Sequence, residues 1–223
     1  MKVDIWSDIR CPFCYIGKHK FETALMQLPQ QDRIEVEWHS FELDPAMQTD
    51  LSMDATSYLA ARKKITPERV MQMHQQVQRS AASAGLSIDF DRMVMANSFN
   101  AHRLIQLAKS HDLANAVEEA LFKAQFVSGK NIDDKDTLLE IGNEVGLDPQ
   151  EVTSMLSSDK YTAEVRKDEA IAGDLGINGV PFFVLNSKYG ISGAQSPETF
   201  LSALQEAWAD YEKKNQPVTE TGH

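Results

Sequence analysis

The chain has 223 residues, 42% of them hydrophobic and 25% charged, which supports one folded, soluble domain with a sizeable core or one domain carrying a large insertion. Its formal net charge of −11 disfavours nucleic acid and anionic membrane surfaces as partners. No apolar run reaches the roughly 18 residues that span a bilayer. The opening Met1-Lys2-Val3-Asp4 does not resemble a signal peptide, so the expected location is cytoplasmic.

Val3 to Trp6 reads as a short strand, and Ser7 to Arg10 as a loop. From Cys11 the pattern is helical, with Ile16, Phe21, Ala24, Leu25 and Leu28 near one face and Pro29 ending the run. Ile34 to Leu43 alternates like a second strand. Asp54 to Gly176 reads almost entirely as helices, with Thr66-Pro67 as a cap and first helical position. Gly85, Gly129, Gly146 and Gly176 stand at the expected stops. Strand character returns at Phe182–Leu185 and Ile191-Ser192, and Ser196-Pro197 opens a final helix through Trp208. The order is a βαβ unit and a ββα unit separated by helices. It predicts an α/β protein with a mixed sheet, formed by residues 1–53 and 177–215, an all-helical insertion over 54–176 and a frayed tail over 216–223.

The chain contains two cysteines, Cys11 and Cys14, too few for a disulfide framework. Their spacing at the start of a helix is that of a redox pair. It brings the two sulfurs within bonding reach. The helix N-terminus, with its free N–H groups and partial positive charge, favours a thiolate. The first cysteine lies nearer solvent, so Cys11 is expected to be the nucleophile and Cys14 the resolving thiol. Pro12 and Phe13 between them supply apolar surface and no cation, which leaves the helix terminus as the main stabiliser of the thiolate and predicts an intermediate redox poise. A zinc site needs about four ligands, and only His19 and His39 would be at hand to complete one, so no metal is expected.

A second signal lies in Gly179-Val180-Pro181-Phe182-Phe183. Proline before a strand is an allowed position, and X-Pro is the usual place for a cis peptide bond. Set opposite the cysteines, Val180 and Pro181 would leave the Val180 backbone free to pair with an extended substrate.

These segments, together with Asn97-Ser98-x-x-Ala101-His102-Arg103-Leu104 and Gly176-x-x-Gly179, resemble the DsbA-like family. Together with Ser7-Asp8-x-x-Cys11-Pro12-Phe13-Cys14-Tyr15-x-Gly17 they are similar, more narrowly, to its FrnE-type branch, related to 2-hydroxychromene-2-carboxylate isomerases and kappa-class glutathione transferases. The resemblance spans Val3 to about Tyr211. It implies a thioredoxin fold with a helical insertion, a cis Pro181, and dithiol oxidoreductase or disulfide isomerase activity on protein or small thiol substrates. It implies no cofactor beyond the redox disulfide, with glutathione as a conceivable co-substrate. An alternative on the same fold is a glutathione-dependent isomerase or transferase. Relatives of that kind typically carry serine at the reactive position, whereas both thiols are intact here. Periplasmic DsbA proteins carry histidine where Phe13 stands.

The comparison also suggests that His102, with Asn97 and Arg103, lines the substrate groove. The plainer reading is a capped helix start. Asp8 is expected to be an exposed turn residue rather than a proton carrier for Cys14. Met71, Met73, Met93 and Met95 are read as core or adaptable groove rather than as a copper site.

Overall fold

The computed structural model describes residues 1–215; the expected tail over 216–223 lies outside them. Strand β1 (Lys2–Ser7) leads through a short loop into α1 (Pro12–Leu25), and β2 (Glu35–Ser40) returns parallel to β1, Lys2 opposite Glu35 and Ser7 opposite Ser40. The second strand stops three residues earlier than its alternation predicts. Beyond Ser40 the chain turns toward the β1–α1 loop, where the Leu43 amide donates to the Asp8 carboxylate at 2.8 Å.

Helices α2 (Ala55–Lys63), α3 (Pro67–Ser83), α4 (Phe99–Lys109), α5 (Ala114–Lys123), α6 (Lys135–Glu144), α7 (Pro149–Leu156) and α8 (Thr162–Asp174) follow. A π-helical turn, Ala124–Ser128, extends α5. Asp54, Thr66, Asp134 and Asp148 cap their helices by accepting backbone N–H groups of the first turn. Gly85, Gly129, Gly146 and Gly176 all have positive φ, as helix stops require.

The chain then forms β3 (Phe182–Leu185), β4 (Tyr189–Ser192) and α9 (Pro197–Asn215). The sheet order is β2-β1-β3-β4, with β3 antiparallel to both neighbours, which is the mixed sheet of a thioredoxin fold. The central strand β1 is buried on both faces. On one face Val3 and Ile5 join a core in which Phe21 of α1, Phe183 of β3 and Phe200 of α9 pack with ring centroids 4.6 to 5.7 Å apart.

On the other face Trp6 packs with Ala172 and Ile177, so α8 covers the sheet. Trp6 stacks on His39 at 4.4 Å. The His39 ring bridges Asp4 and Asp168, each at 2.8 Å, and Gln106 donates to Asp168 at 2.6 Å. The single carboxylate of Asp168 thereby ties α8 and α4 to β2. Asp4, Glu37 and His39 lie close enough to suggest a cation site. Lys2 supplies that cation, its ammonium 2.7 Å from Asp4 and 2.5 Å from Glu37.

Candidate active site

Helix α1 begins at the first position after Cys11. Proline fills that position because its missing N–H would have had no partner there. Cys11 is the N-cap in extended conformation, and its side chain makes no capping bond, so the sulfur sits free at the positive end of the helix. Its carbonyl accepts the Cys14 amide at 2.9 Å, which closes the first turn. Both cysteines are free thiols. Cys11 is 6% and Cys14 1% exposed, in the expected order. Burial, with the neighbouring Cys11 sulfur second, pushes the Cys14 thiol well above its ordinary range. The Asp8 amide donates to the Cys14 sulfur at 3.5 Å.

The Val180–Pro181 peptide bond is cis, and the loop carrying it faces the cysteines. The Cys11 thiol donates to the Val180 carbonyl at 3.6 Å. No partner for the Val180 amide is found among the described residues. Pro181 is buried against α1, while Phe13 is 44% exposed beside Cys11. Cys11, Pro12, Phe13, Val180 and Pro181 thus lie in one neighbourhood.

His102 does not line it. The residue is 1% exposed, on the inward face of α4, so it cannot meet a substrate. Its Nε2 lies 3.6 Å from Asp8. The plainer reading of this segment holds in part: the Phe99 amide donates to the Asn97 side chain at 2.7 Å, while Ser98 makes no side-chain cap. Arg103 is turned to backbone carbonyls of Met155 and Lys160.

Asp8 is not an exposed turn residue either. It is fully buried, and its carboxylate accepts from the amides of Arg10 and Leu43 at 3.0 and 2.8 Å. Burial pushes its pKa up, but His102 and those amides outweigh it and hold the carboxyl below its ordinary range. The same kinds of force balance the other way at Glu118 of α5, which sequence reasoning missed. This carboxyl is buried, accepts the Ser7 hydroxyl at 2.6 Å, and is pushed up to about 7 by burial. Asp8, His102 and Glu118 belong to three distant segments, and only their packing around the start of α1 brings them together.

Beside Cys11 and Phe13 opens a cavity of about 370 Å³, roofed by α2 and α3. Met73, Met93 and Met95 line it, whereas Met71 points to solvent.

Residues 2–205 match the DSBA-like thioredoxin domain model. The protein is similar to the crystal structure of the probable DsbA oxidoreductase SCO1869 from Streptomyces coelicolor. The two are 37% identical with a TM-score of 0.89, over 98% of this chain and 93% of that one. It is 28% identical to the uncharacterized protein YwbO of Bacillus subtilis (strain 168), over 92% of this chain and 96% of the relative. A 2-hydroxychromene-2-carboxylate isomerase shares the fold at 17% identity, with a TM-score of 0.71 over 97% of this chain and 100% of that one. Among the described residues no helix is long and apolar enough to cross a membrane. The chain belongs to the DsbA-like thioredoxin domain family.

Proposed function

We propose that the protein is a thiol–disulfide oxidoreductase working through Cys11 and Cys14. The observation that carries this reading is the Cys11 sulfur, uncapped at the α1 terminus and within 3.6 Å of the Val180 carbonyl. The Cys11 thiolate attacks a substrate disulfide, forms a mixed disulfide and expels one substrate thiolate. Cys14 then loses its proton and attacks the Cys11 sulfur. The second substrate thiol leaves, and the protein holds a Cys11–Cys14 disulfide; two protein thiols are oxidised as one substrate disulfide is reduced. The reverse sequence forms disulfides, and return of the substrate thiolate isomerises them. Val180 offers its backbone to an extended substrate, with Pro181 below it and Pro12 and Phe13 forming the apolar wall. The substrates in this reading are proteins, peptides or small thiols, with glutathione as a co-substrate for resetting, in the cytoplasm.

Cys11→Ser is expected to abolish reduction of insulin, and an undiminished rate would reject the reading. Thiol alkylation across a redox titration should reveal a reversible two-thiol mass shift. Its absence at every poise would favour a glutathione-dependent isomerase or transferase, in which Cys11 and its surroundings activate glutathione instead.

A further inference from the structure

The cavity beside Cys11 is larger than disulfide exchange requires, because two sulfurs and an extended backbone need only the Cys11–Val180 edge. Its interior is mostly apolar: Leu59 and Val77 from the helical roof, Phe90 before α4, and the three methionines, with His74, stacked on Phe90, and Gln125 as the polar members. Methionine side chains are unbranched and polarizable and refit themselves to different apolar guests. Its mouth is charged, with Arg10, Arg62 and Lys63 facing one carboxylate, Asp44. That carboxylate is already engaged by Arg62 and by the Tyr58 hydroxyl. Arg10 lies over the Tyr58 ring at 5.3 Å, and its Nε is buried with no hydrogen-bond partner among the described residues. A cationic mouth on a chain of net charge −11 is a local reversal of sign, and it complements an anion.

Resting on the exchange activity proposed above, we infer that this cavity is a specificity pocket for peptide disulfides. It takes a large apolar side chain next to the substrate cysteine, with an acidic residue just beyond it at the Arg10–Lys63 rim. The substrate backbone crosses Cys11 from the Val180 edge. Its cysteine meets the Cys11 sulfur, and the neighbouring side chain turns under α2 and α3. The exposed Phe13 and Leu43 flank the entrance and continue the apolar surface outward.

The test uses the reduced full-length protein and cysteine peptides whose sulfur is joined to 2-nitro-5-thiobenzoate. Attack by Cys11 on the peptide sulfur forms the Cys11–peptide disulfide and releases the coloured thiolate, which stopped-flow absorbance follows. Phe or Leu beside the cysteine should react about tenfold faster than Ala, the scale on which apolar pockets discriminate. Glu beyond that residue should outpace Lys. Met73→Gln and Met93→Gln, two independent variants of similar volume, should each bring the Phe-to-Ala ratio toward one. Equal rates for Phe and Ala peptides, or a ratio untouched by both variants, would overturn the pocket. So would the mixed disulfide of glutathione with the same thiobenzoate reacting faster than every peptide. If hydroxyethyl disulfide, which has no side chain to dock, still reacts in those cases, the exchange activity survives without the pocket. If nothing reacts, both fall.

Discussion

Gly17 and Pro181 are in a contact that admits no side chain: a Cβ on Gly17 would stand 2.8 Å from the Pro181 Cγ. Gly17 is one turn of α1 beyond the cysteines, so the absence of a side chain there lets the Val180–Pro181 loop lie down on the helix and places the Val180 carbonyl against Cys11. Alanine at this position improves helix propensity by about 1 kcal/mol. It also overpacks a rigid ring, at a cost of about 1–3 kcal/mol. Gly17→Ala should therefore fold with a modest loss of stability in urea melts. Its rate of insulin reduction should fall about tenfold as the loop is lifted. An unchanged rate would show that the loop position does not matter to exchange.

Removal of the second thiol should separate the two halves of the reaction. Cys14 is deeply buried with a raised pKa, so its deprotonation is the harder step, while Cys11 needs no help from it to attack. Cys14→Ser should accumulate a stable mixed disulfide with a peptide substrate, visible by mass spectrometry and released by dithiothreitol. Multiple-turnover reduction should fall at least about a hundredfold. Normal turnover in this variant would mean that an external thiol resolves the complex.

The place of the cysteine pair at the head of α1 was legible because its information is local: two cysteines three apart, a proline at the first helical position, and a strand before them. The helix stops were legible for the same reason, since a positive φ favours glycine. Asp8 was misjudged because Ser7-Asp8-Ile9-Arg10 has the composition of a surface turn. Its burial comes from the chain after β2 folding back so that Leu43 reaches its carboxylate. His102 and Glu118 sit on helices with clear apolar faces, and nothing in a 3.6-residue period tells which polar neighbour of that face is drawn inside. Met73, Met93 and Met95 line a groove as read while Met71 does not, and the cavity exists only where α2 and α3 meet the β1–α1 loop.

Glu118 makes stability depend on pH in a defined direction. Its folded pKa of about 7 exceeds the ordinary 4.5, so the folded state holds a proton that the unfolded chain releases between those values. Stability therefore falls as pH rises from about 4.5 to 7, by about 1.4 kcal/mol per unit and about 3 kcal/mol in all. Glu118→Gln keeps an oxygen for the Ser7 hydroxyl and cannot ionise. Urea melts should show no gain over the wild type at pH 4 and a gain approaching about 3 kcal/mol at pH 8. A gain independent of pH would mean that burial leaves the Glu118 pKa where the unfolded chain has it.

The sheet's other face adds a second slope of the same sign by different chemistry. Burial alone would lower the His39 pKa, but Asp168 and Asp4 outweigh it and raise it, against a smaller opposing effect of Lys109. A raised base stabilises the fold fully below its unfolded pKa and loses that contribution as pH climbs through the folded value. The partners behave oppositely. Asp168 and Asp4 are held below their ordinary range despite burial, so their contribution is present above about pH 4 and is lost as acid protonates them. Together with Glu118 these groups place maximal stability well on the acidic side of neutrality, near about pH 4.5, where the two aspartates are ionised and the Glu118 penalty has only begun. Asp168→Asn removes the charge facing His39 and Lys109 and weakens the tie between α8 and the sheet, at a cost of about 3 kcal/mol. Its His39 should titrate at lower pH in the histidine region of the proton NMR spectrum, and its stability should decline less steeply above pH 6.5 than that of the wild type. An unmoved His39 resonance in that variant would mean that Asp168 does not hold the imidazolium.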